Sequence, residues 1–342
     1  LLPSDINKSG FEFIPTNTTQ ILYGLGAIKG TGLAAIELIL ESRESKGPFK
    51  NLFDFCARLD LRKVNRRVVE SLIRGGAFDT IEPNRASLLA SVNLAITAAE
   101  QGKANIAQNS LFGEEQTQKV DMVHMDPWTP QQKLQEEKAA LGFYFSGHPF
   151  TFFEKRVRPF IKTQIKELKP QEQPYVIAGV IVAIRIRMTA RGKMAIVTLD
   201  DAISRVDVVV GNDLLTQSQR LVQEDQLLIV EGRVSHDDFT GGIRVTARKL
   251  FDLATARNQF AHHLKISCNG QSDANKLREM LKPYCGHPQH DLKRCRVKID
   301  YHNDQGHVEL LLGREWQVDL HDELLDGLTQ WLSEENVKIL YN

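Results

Sequence analysis

Apolar positions recur along this chain with two different periods, and the change between them divides it. From Ile21 to about Lys103 the spacing is helical. Leu33, Ile36, Leu38, Ile39 and Leu40, and then Val68, Val69, Leu72 and Ile73, repeat at helix-face intervals, with short glycine-bearing breaks between them. Residues 1–20 read as an extended polar leader. Residues 102–132 lose the pattern; they are rich in Gln, Asn, Asp and Glu and contain Pro127 and Pro130, as a linker would. A short helix is expected over 134–141, followed by Gly142-Phe143-Tyr144-Phe145-Ser146-Gly147-His148-Pro149. From Pro174 the period falls to two. Residues 175–188 form a long apolar, β-branched run, then a turn at 189–192, then strands at 193–199 and 205–210. Residues 212–223 read as a helix, and 226–234 with 242–253 as a hairpin about Phe239-Thr240-Gly241-Gly242. Three strands, a helix and two strands is the order of an OB-fold barrel, and a long first strand suits one that joins both sheets.

After about Ala254 the alternation becomes strand 263–268, helix 273–284, strands 296–301 and 307–312, helix 322–332 and strand 337–341. That predicts a small α+β sandwich with a split βαβ arrangement. The fold class expected is therefore multidomain α+β: an all-helical domain with paired hairpins, an OB-fold β-barrel, and a small α/β C-terminal domain. The boundaries expected are a leader over 1–20, the helical domain over 21–103, a linker with short helices over 104–173, the barrel over 174–255 and the last domain over 256–342. A length of 342 residues suits such a division.

Composition narrows the class without naming a function. The four cysteines are widely scattered, which fits a reducing cytoplasm rather than a disulfide framework. No apolar run approaches the roughly 18 residues a membrane span needs. The chain opens on Leu1-Leu2-Pro3-Ser4-Asp5 without an initiator Met, as a piece of a longer protein would. With 43 basic and 43 acidic residues there is no global basic field, so any contact with nucleic acid must come from local patches.

The glycines of Gly24-Leu25-Gly26-Ala27-Ile28-Lys29-Gly30-Thr31-Gly32 form a G-h-G-like hairpin entering a helix. Such a turn brings backbone close to a ligand, and the helix start offers N–H groups and the positive dipole end to an anion. A helix-hairpin-helix unit grips a DNA phosphate in this way, without reading sequence. Gly75-Gly76-Ala77-Phe78-Asp79 makes a second hairpin that departs from the G-h-G pattern. Two glycine caps in an ordinary helical bundle are the bland alternative. Candidate contacts to duplex DNA are Lys29, Gly30, Thr31 and Gly32 with the stripe Arg62, Lys63, Arg66 and Arg67, joined by Arg74; a solvated helix face explains the stripe equally well.

Gln108-Asn109-Ser110-Leu111-Phe112 stands in polar surroundings, where an adjacent Leu-Phe pair is costly unless something covers it. Gln108, Ser110, Leu111 and Phe112 suit a partner's apolar pocket; a linker folding back on its own domain is the alternative. In the barrel, Arg185, Arg187, Arg191 and Lys193 gather about the first hairpin and are candidates for single-stranded nucleic acid, although 174–255 holds ten basic and ten acidic residues and few aromatics. Catalysis has no support. Asp200-Asp201 and Asp237-Asp238 are neighbours that turn chemistry explains better than a shared metal. Cys285, His287, His290 and Cys295 lack a C-x-x-C knuckle, so no metal is expected, and no G-x-x-x-x-G-K sequence supports ATP.

Taken in order, Pro3-Ser4-Asp5-Ile6-Asn7, Tyr23 to Gly30, Asn65-Arg66-Arg67 through Gly76-Ala77-Phe78-Asp79, Leu141 to Pro149, Thr198-Leu199-Asp200-Asp201 and Asp237 to Gly242 resemble segments of one family. This is the C-terminal part of bacterial DNA polymerase III alpha subunits, the family C replicative polymerases, and the resemblance covers essentially the whole chain. It implies that the polymerase carboxylates and their Mg lie upstream of residue 1, so this chain carries no catalytic residue and no cofactor. It further implies tandem helix-hairpin-helix motifs on duplex DNA, Gln108 to Phe112 on the beta sliding clamp, and the barrel near single-stranded template. It places the last domain on the tau subunit of the clamp loader and the strand at 337–341 where a second clamp contact has been proposed. The competing expectations are a stand-alone nuclease or ligase-like enzyme, which lacks the needed carboxylates or nucleophilic Lys, and a structural scaffold that ignores DNA.

Overall fold

The computed structural model describes residues 1–109, 121–189, 192–237, 241–269, 272–285 and 293–341. It divides into two compact units, Leu1–Pro149 and Phe150–Asn342.

The first unit is helical: α1 Leu33–Lys46, α2 Leu52–Arg58, α3 Arg66–Arg74, α4 Arg85–Asn109 and α5 Pro130–Leu141, preceded by a two-residue ladder of β1 Ile14–Pro15 with β2 Ile21–Leu22. Short polar residues start these helices by satisfying otherwise orphan N–H groups. Asn51 Oδ1 accepts from Asp54 N at 2.9 Å and Asn65 Oδ1 from Val68 N at 3.2 Å. Thr129 Oγ1 accepts from Gln132 N at 3.2 Å, and Gly142 ends α5 in the left-handed region at φ 89°. The core is built on Ile36, Ile39, Leu72 and Ile73 with an edge-to-face series of Phe49, Phe55 and Phe78.

The first twenty residues are more than a leader. Ile6 is fully buried in this core and its N–H donates to the Ala77 carbonyl at 2.7 Å. Asn7 brackets Phe49, donating to its carbonyl and accepting from its N–H. Such burial of Ile6 contributes roughly 1.5–3 kcal/mol. Residues 121–126, expected as linker, lie along α4. Val123 N donates to Ser91 Oγ at 2.8 Å, Met125 N to Ser87 Oγ at 3.0 Å, and Asn84 Nδ2 to the Met125 carbonyl at 2.8 Å. Buried serines spaced i, i+4 act here as a hydrogen-bonding edge for an extended backbone.

In the second unit, α6 Thr151–Val157 leads into β3 Tyr175–Thr189, β4 Gly192–Asp200, β5 Arg205–Val210, α7 Asn212–Gln217, β6 Leu227–His236 and β7 Ile243–Phe251. The strands close into a barrel of order β3-β4-β5-β7-β6. β3 belongs to both halves, pairing first with β6 and then with β4, with a register shift between Ile181 and Ala183 where it turns. A short parallel pairing of Asp207–Val209 with Arg244–Thr246 completes the circle. Helix α7 ends six residues before the 223 expected from the sequence; Ser218 to Leu221 form a turn, with Leu221 N bonded to the Ser218 carbonyl.

There follow α8 Leu253–Phe260, β8 Ala261–Asn269, α9 Ala274–Leu281, β9 Arg296–Asn303, β10 Gly306–Leu311, α10 Asp322–Leu332 and β11 Val337–Tyr341. The sheet order is β10-β9-β8-β11. The first crossover is not split: β8 and β9 pair directly and in parallel through α9, while the β10–α10–β11 crossover straddles both. Helices α9 and α10 cover one face through Leu277, Leu281, Leu324 and Leu328.

Candidate nucleic-acid interface

The first hairpin turns tightly into a helix start whose backbone donors are open. Its tight turn, Leu25–Ala27, is followed by Gly30 at φ 88°, a conformation that favours glycine. A Cβ at Gly30 would also approach Ser71 Oγ to 3.0 Å, so α3 crosses close over the turn. Helix α1 begins at Gly32 with no side-chain cap and no acidic residue in its first turn. The N–H groups of Gly32, Leu33 and Ala34 have no acceptor among the described residues. An exposed, uncapped helix start carries partial positive charge toward solvent.

Cations gather at Gly30, just before that start in the chain. A cavity of about 330 Å³ is lined by Lys29, Gly30, Arg67, Ser71 and Arg74 with the last turn of α5. Positions 67, 71 and 74 share one face of α3 by their i, i+4, i+7 spacing. Lys29 is fixed from the α5 side, where its N–H donates to the Ala140 carbonyl at 2.7 Å and its side chain lies across Gly142. Arg74 is ion-paired with Glu136 of α5.

The predicted contacts fall into separate groups. Lys29, Gly30 and Arg67 converge on this cavity. Thr31 does not present its hydroxyl; Oγ1 donates within the turn to the Leu25 and Ile28 carbonyls at 2.8 and 2.7 Å, so it holds the hairpin's shape. Arg62 and Arg66 face elsewhere, lining a larger cleft of about 670 Å³ with Arg58 and Lys103. Arg62 is held by Asp60 at 3.2 Å and Arg66 by Glu70 at 2.5 Å, and Lys63 is exposed. Ser71, absent from the sequence expectation, is signalled only by its i+4 spacing from Arg67.

The second hairpin is closed to an anion. Its Gly76 has φ 83°, but the helix it feeds is capped from within, with Asn84 Oδ1 accepting from Ser87 N at 3.2 Å. The Arg85 guanidinium turns inward to Asp79, Glu137 and the Arg74 carbonyl.

On the barrel, strand alternation separates residues that sequence had grouped. Ala195, Val197, Val208 and Val210 point into the core. Ile196 and Val209 are therefore outward partners, with Thr198 opposite Asp207 and Arg185 and Arg187 beside Ile196 and Met194. The outward face is a half-buried apolar strip, Met194, Ile196 and Val209, with arginines along its edges. Lys193 pairs with Met188 and lies on the opposite face, so the predicted quartet is not one patch. Arg185 is bound to Asp207 at 2.6 Å, whereas Arg187 makes no ion pair among the described residues; Arg191 lies outside them. The same holds for Ser110, Leu111 and Phe112, and Gln108 falls in the last turn of α4.

Among the described residues no three His, Cys, Asp or Glu side chains converge as a metal site, and no helix is long and apolar enough to cross a membrane. Cys285 and Cys295 each bridge the backbone of Val318, and His287 and His290 lie outside the described residues.

Comparison with known proteins agrees with this architecture. A helix-hairpin-helix motif model matches residues 1–88, an OB-fold nucleic acid binding domain model residues 175–253, and a model of the C-terminal domain of DNA polymerase III subunit alpha residues 276–332. DNA polymerase III subunit alpha of Neisseria meningitidis serogroup A is 39% identical over 99% of this chain, and that of Escherichia coli K12 is 38% identical over 100%. The chain spans 30% of the length of either relative. With that identity from end to end, and with the C-terminal-domain model of the same subunit matching residues 276–332, the chain belongs to the DNA polymerase III alpha-subunit family and carries its C-terminal region.

Proposed function

We propose that this chain is a non-catalytic holding region of a replicative polymerase, gripping duplex DNA by its backbone at the first hairpin. The observation that carries the reading is the cavity that gathers Lys29, Gly30, Arg67 and Arg74, two residues along the chain from the uncapped start of α1. A phosphate placed there meets helix N–H groups and side-chain cations together, which supports affinity without base readout. The second hairpin then serves packing rather than phosphate. The outward face of the barrel is assigned to single-stranded template, with bases on Met194, Ile196 and Val209 and phosphates on the flanking arginines; in the absence of stacking rings that contact is the weaker one.

Two further roles and a setting complete the proposal, resting on the family's sequence likeness. Gln108 to Phe112 binds the beta sliding clamp, and the last domain binds the tau subunit of the clamp loader with no residue assigned. The setting is the bacterial cytoplasm at the replication fork. Polymerisation and its Mg belong to the part of the relatives that this chain does not span.

The test is fluorescence anisotropy of labelled duplex DNA against salt. Lys29→Ala with Arg67→Ala is expected to weaken binding at least tenfold at low salt. It should also flatten the log–log salt slope by about 0.9 for each phosphate that the variant no longer neutralises. Unchanged affinity and slope in a variant that melts normally would remove the hairpin from the DNA site.

A further inference from the structure

Three cations line the cavity at the first hairpin, and among the described residues only one of them, Arg74, is ion-paired. Its partner, Glu136, belongs to α5 and not to the hairpin, and both side chains are partly shielded, at 32% and 21% exposure. The same helix supplies the second hold on the cavity, through the Ala140 carbonyl that accepts from Lys29 N and the Gly142 cap beneath the Lys29 side chain. Helix α5 thus ends in partial negative charge next to Lys29 and carries a full negative charge on Arg74.

We propose that Glu136 is an internal competitor of the DNA phosphate: it holds Arg74 oriented toward the cavity and surrenders it when a phosphate enters. This rests on the reading of the cavity as a backbone-phosphate site. Arg74 is held through its Nη1 on Glu136 Oε2 while its side chain lines the cavity, and a phosphate oxygen can take the place of the carboxylate oxygen on the same guanidinium with little side-chain movement. The carboxylate subtracts one charge from the cavity, which lowers non-specific affinity and keeps the grip reversible while the enzyme moves along DNA.

Glu136→Gln separates charge from positioning, because the amide oxygen still accepts from Arg74. In the full chain the variant is expected to bind labelled duplex three- to tenfold more tightly at low salt. Its log–log salt slope should steepen by about 0.9, as one more neutralised phosphate predicts. In an Arg74→Ala background the same change should have little effect. Unchanged affinity and slope for Glu136→Gln overturns the proposal, as does an equal gain with and without Arg74, which would mean only a general field. The Lys29→Ala, Arg67→Ala variant keeps this outcome separate from failure of the DNA reading. If that variant weakens binding while Glu136→Gln changes nothing, Glu136 alone is wrongly assigned. If neither matters, the cavity is not the DNA site.

Discussion

At the scale of single residues, the helical unit is tied together by an ion cluster in which Arg85 and Glu137 are almost fully buried. Arg85, 6% exposed, donates to both oxygens of Asp79 at 2.7 and 2.6 Å, to the Arg74 carbonyl at 3.0 Å and to Glu137 at 3.2 Å. Glu137, 1% exposed, uses its other oxygen to accept from Phe145 N and Ser146 N at 3.0 and 2.8 Å. Glu137→Ala strips Arg85 of one counter-charge and leaves two backbone donors without an acceptor. Breaking a buried pair from one side costs about 3–5 kcal/mol, and the surviving Asp79 places the expected loss near the lower figure. Chemical denaturation followed by helix content checks this, and an unshifted midpoint would refute it. Little of the cluster was legible beforehand, because a charge in a sequence does not declare its direction. Thr31 looked like a ligand and is a turn brace; Lys193 looked like a neighbour of Arg187 and points the other way. Arg67 lies on an exposed face of α3 beside Gly30, an arrangement that its spacing along the helix allowed but did not require.

At the scale of elements, the open face of the C-terminal sheet carries a charge lattice that fastens three strands. Lys265 of β8 bonds Asp300 of β9 at 2.7 Å, Lys298 of β9 bonds Glu309 of β10 at 2.5 Å, and His307 of β10 also meets Asp300. Hydrogen bonding from Lys265 first, and then from His307, pulls the Asp300 pKa down to about 2, below the roughly 3.9 of an unfolded Asp. A folded pKa below the unfolded one contributes stability above about pH 4, and that contribution is lost as pH falls toward 2. Parent and Asp300→Asn should therefore differ in melting temperature at neutral pH and converge between pH 4 and 2. A constant difference across that window would show that the lattice does not act through ionisation. Elements themselves were the most legible part of the chain, since period two and period 3.6 follow from burial on one face. The order of strands was less so: β8 and β9 pair directly and in parallel across α9, a choice of neighbour that periodicity does not encode. The Ser87 and Ser91 edge that docks 121–126 was invisible, because serines in a helix give no apolar signal.

For the molecule as a whole, the proposed function places two holds on different targets in one chain, and together they would act as one strong hold. The proposed hairpin grip would draw on phosphates, so it should fade as salt rises. The proposed clamp peptide draws on Leu111 and Phe112, so it should survive salt that releases DNA. If one ring encircles the same duplex that the hairpin holds, each contact raises the local concentration of the other to something on the order of millimolar, and joint affinity can exceed either alone by about 10²–10⁴-fold. Leu111→Ala with Phe112→Ala is then expected to abolish binding to free sliding clamp while leaving the melting temperature and the affinity for bare duplex unchanged. On clamp-loaded DNA it should reduce affinity to that for bare duplex, with the salt slope of DNA binding intact. The decisive measurement is a pair of titrations at low and high salt, one with free clamp and one with clamp-loaded DNA. Retained binding to free clamp by the double variant would show that the tether lies elsewhere in the chain, and the gain on clamp-loaded DNA would then have to come from the barrel or the last domain.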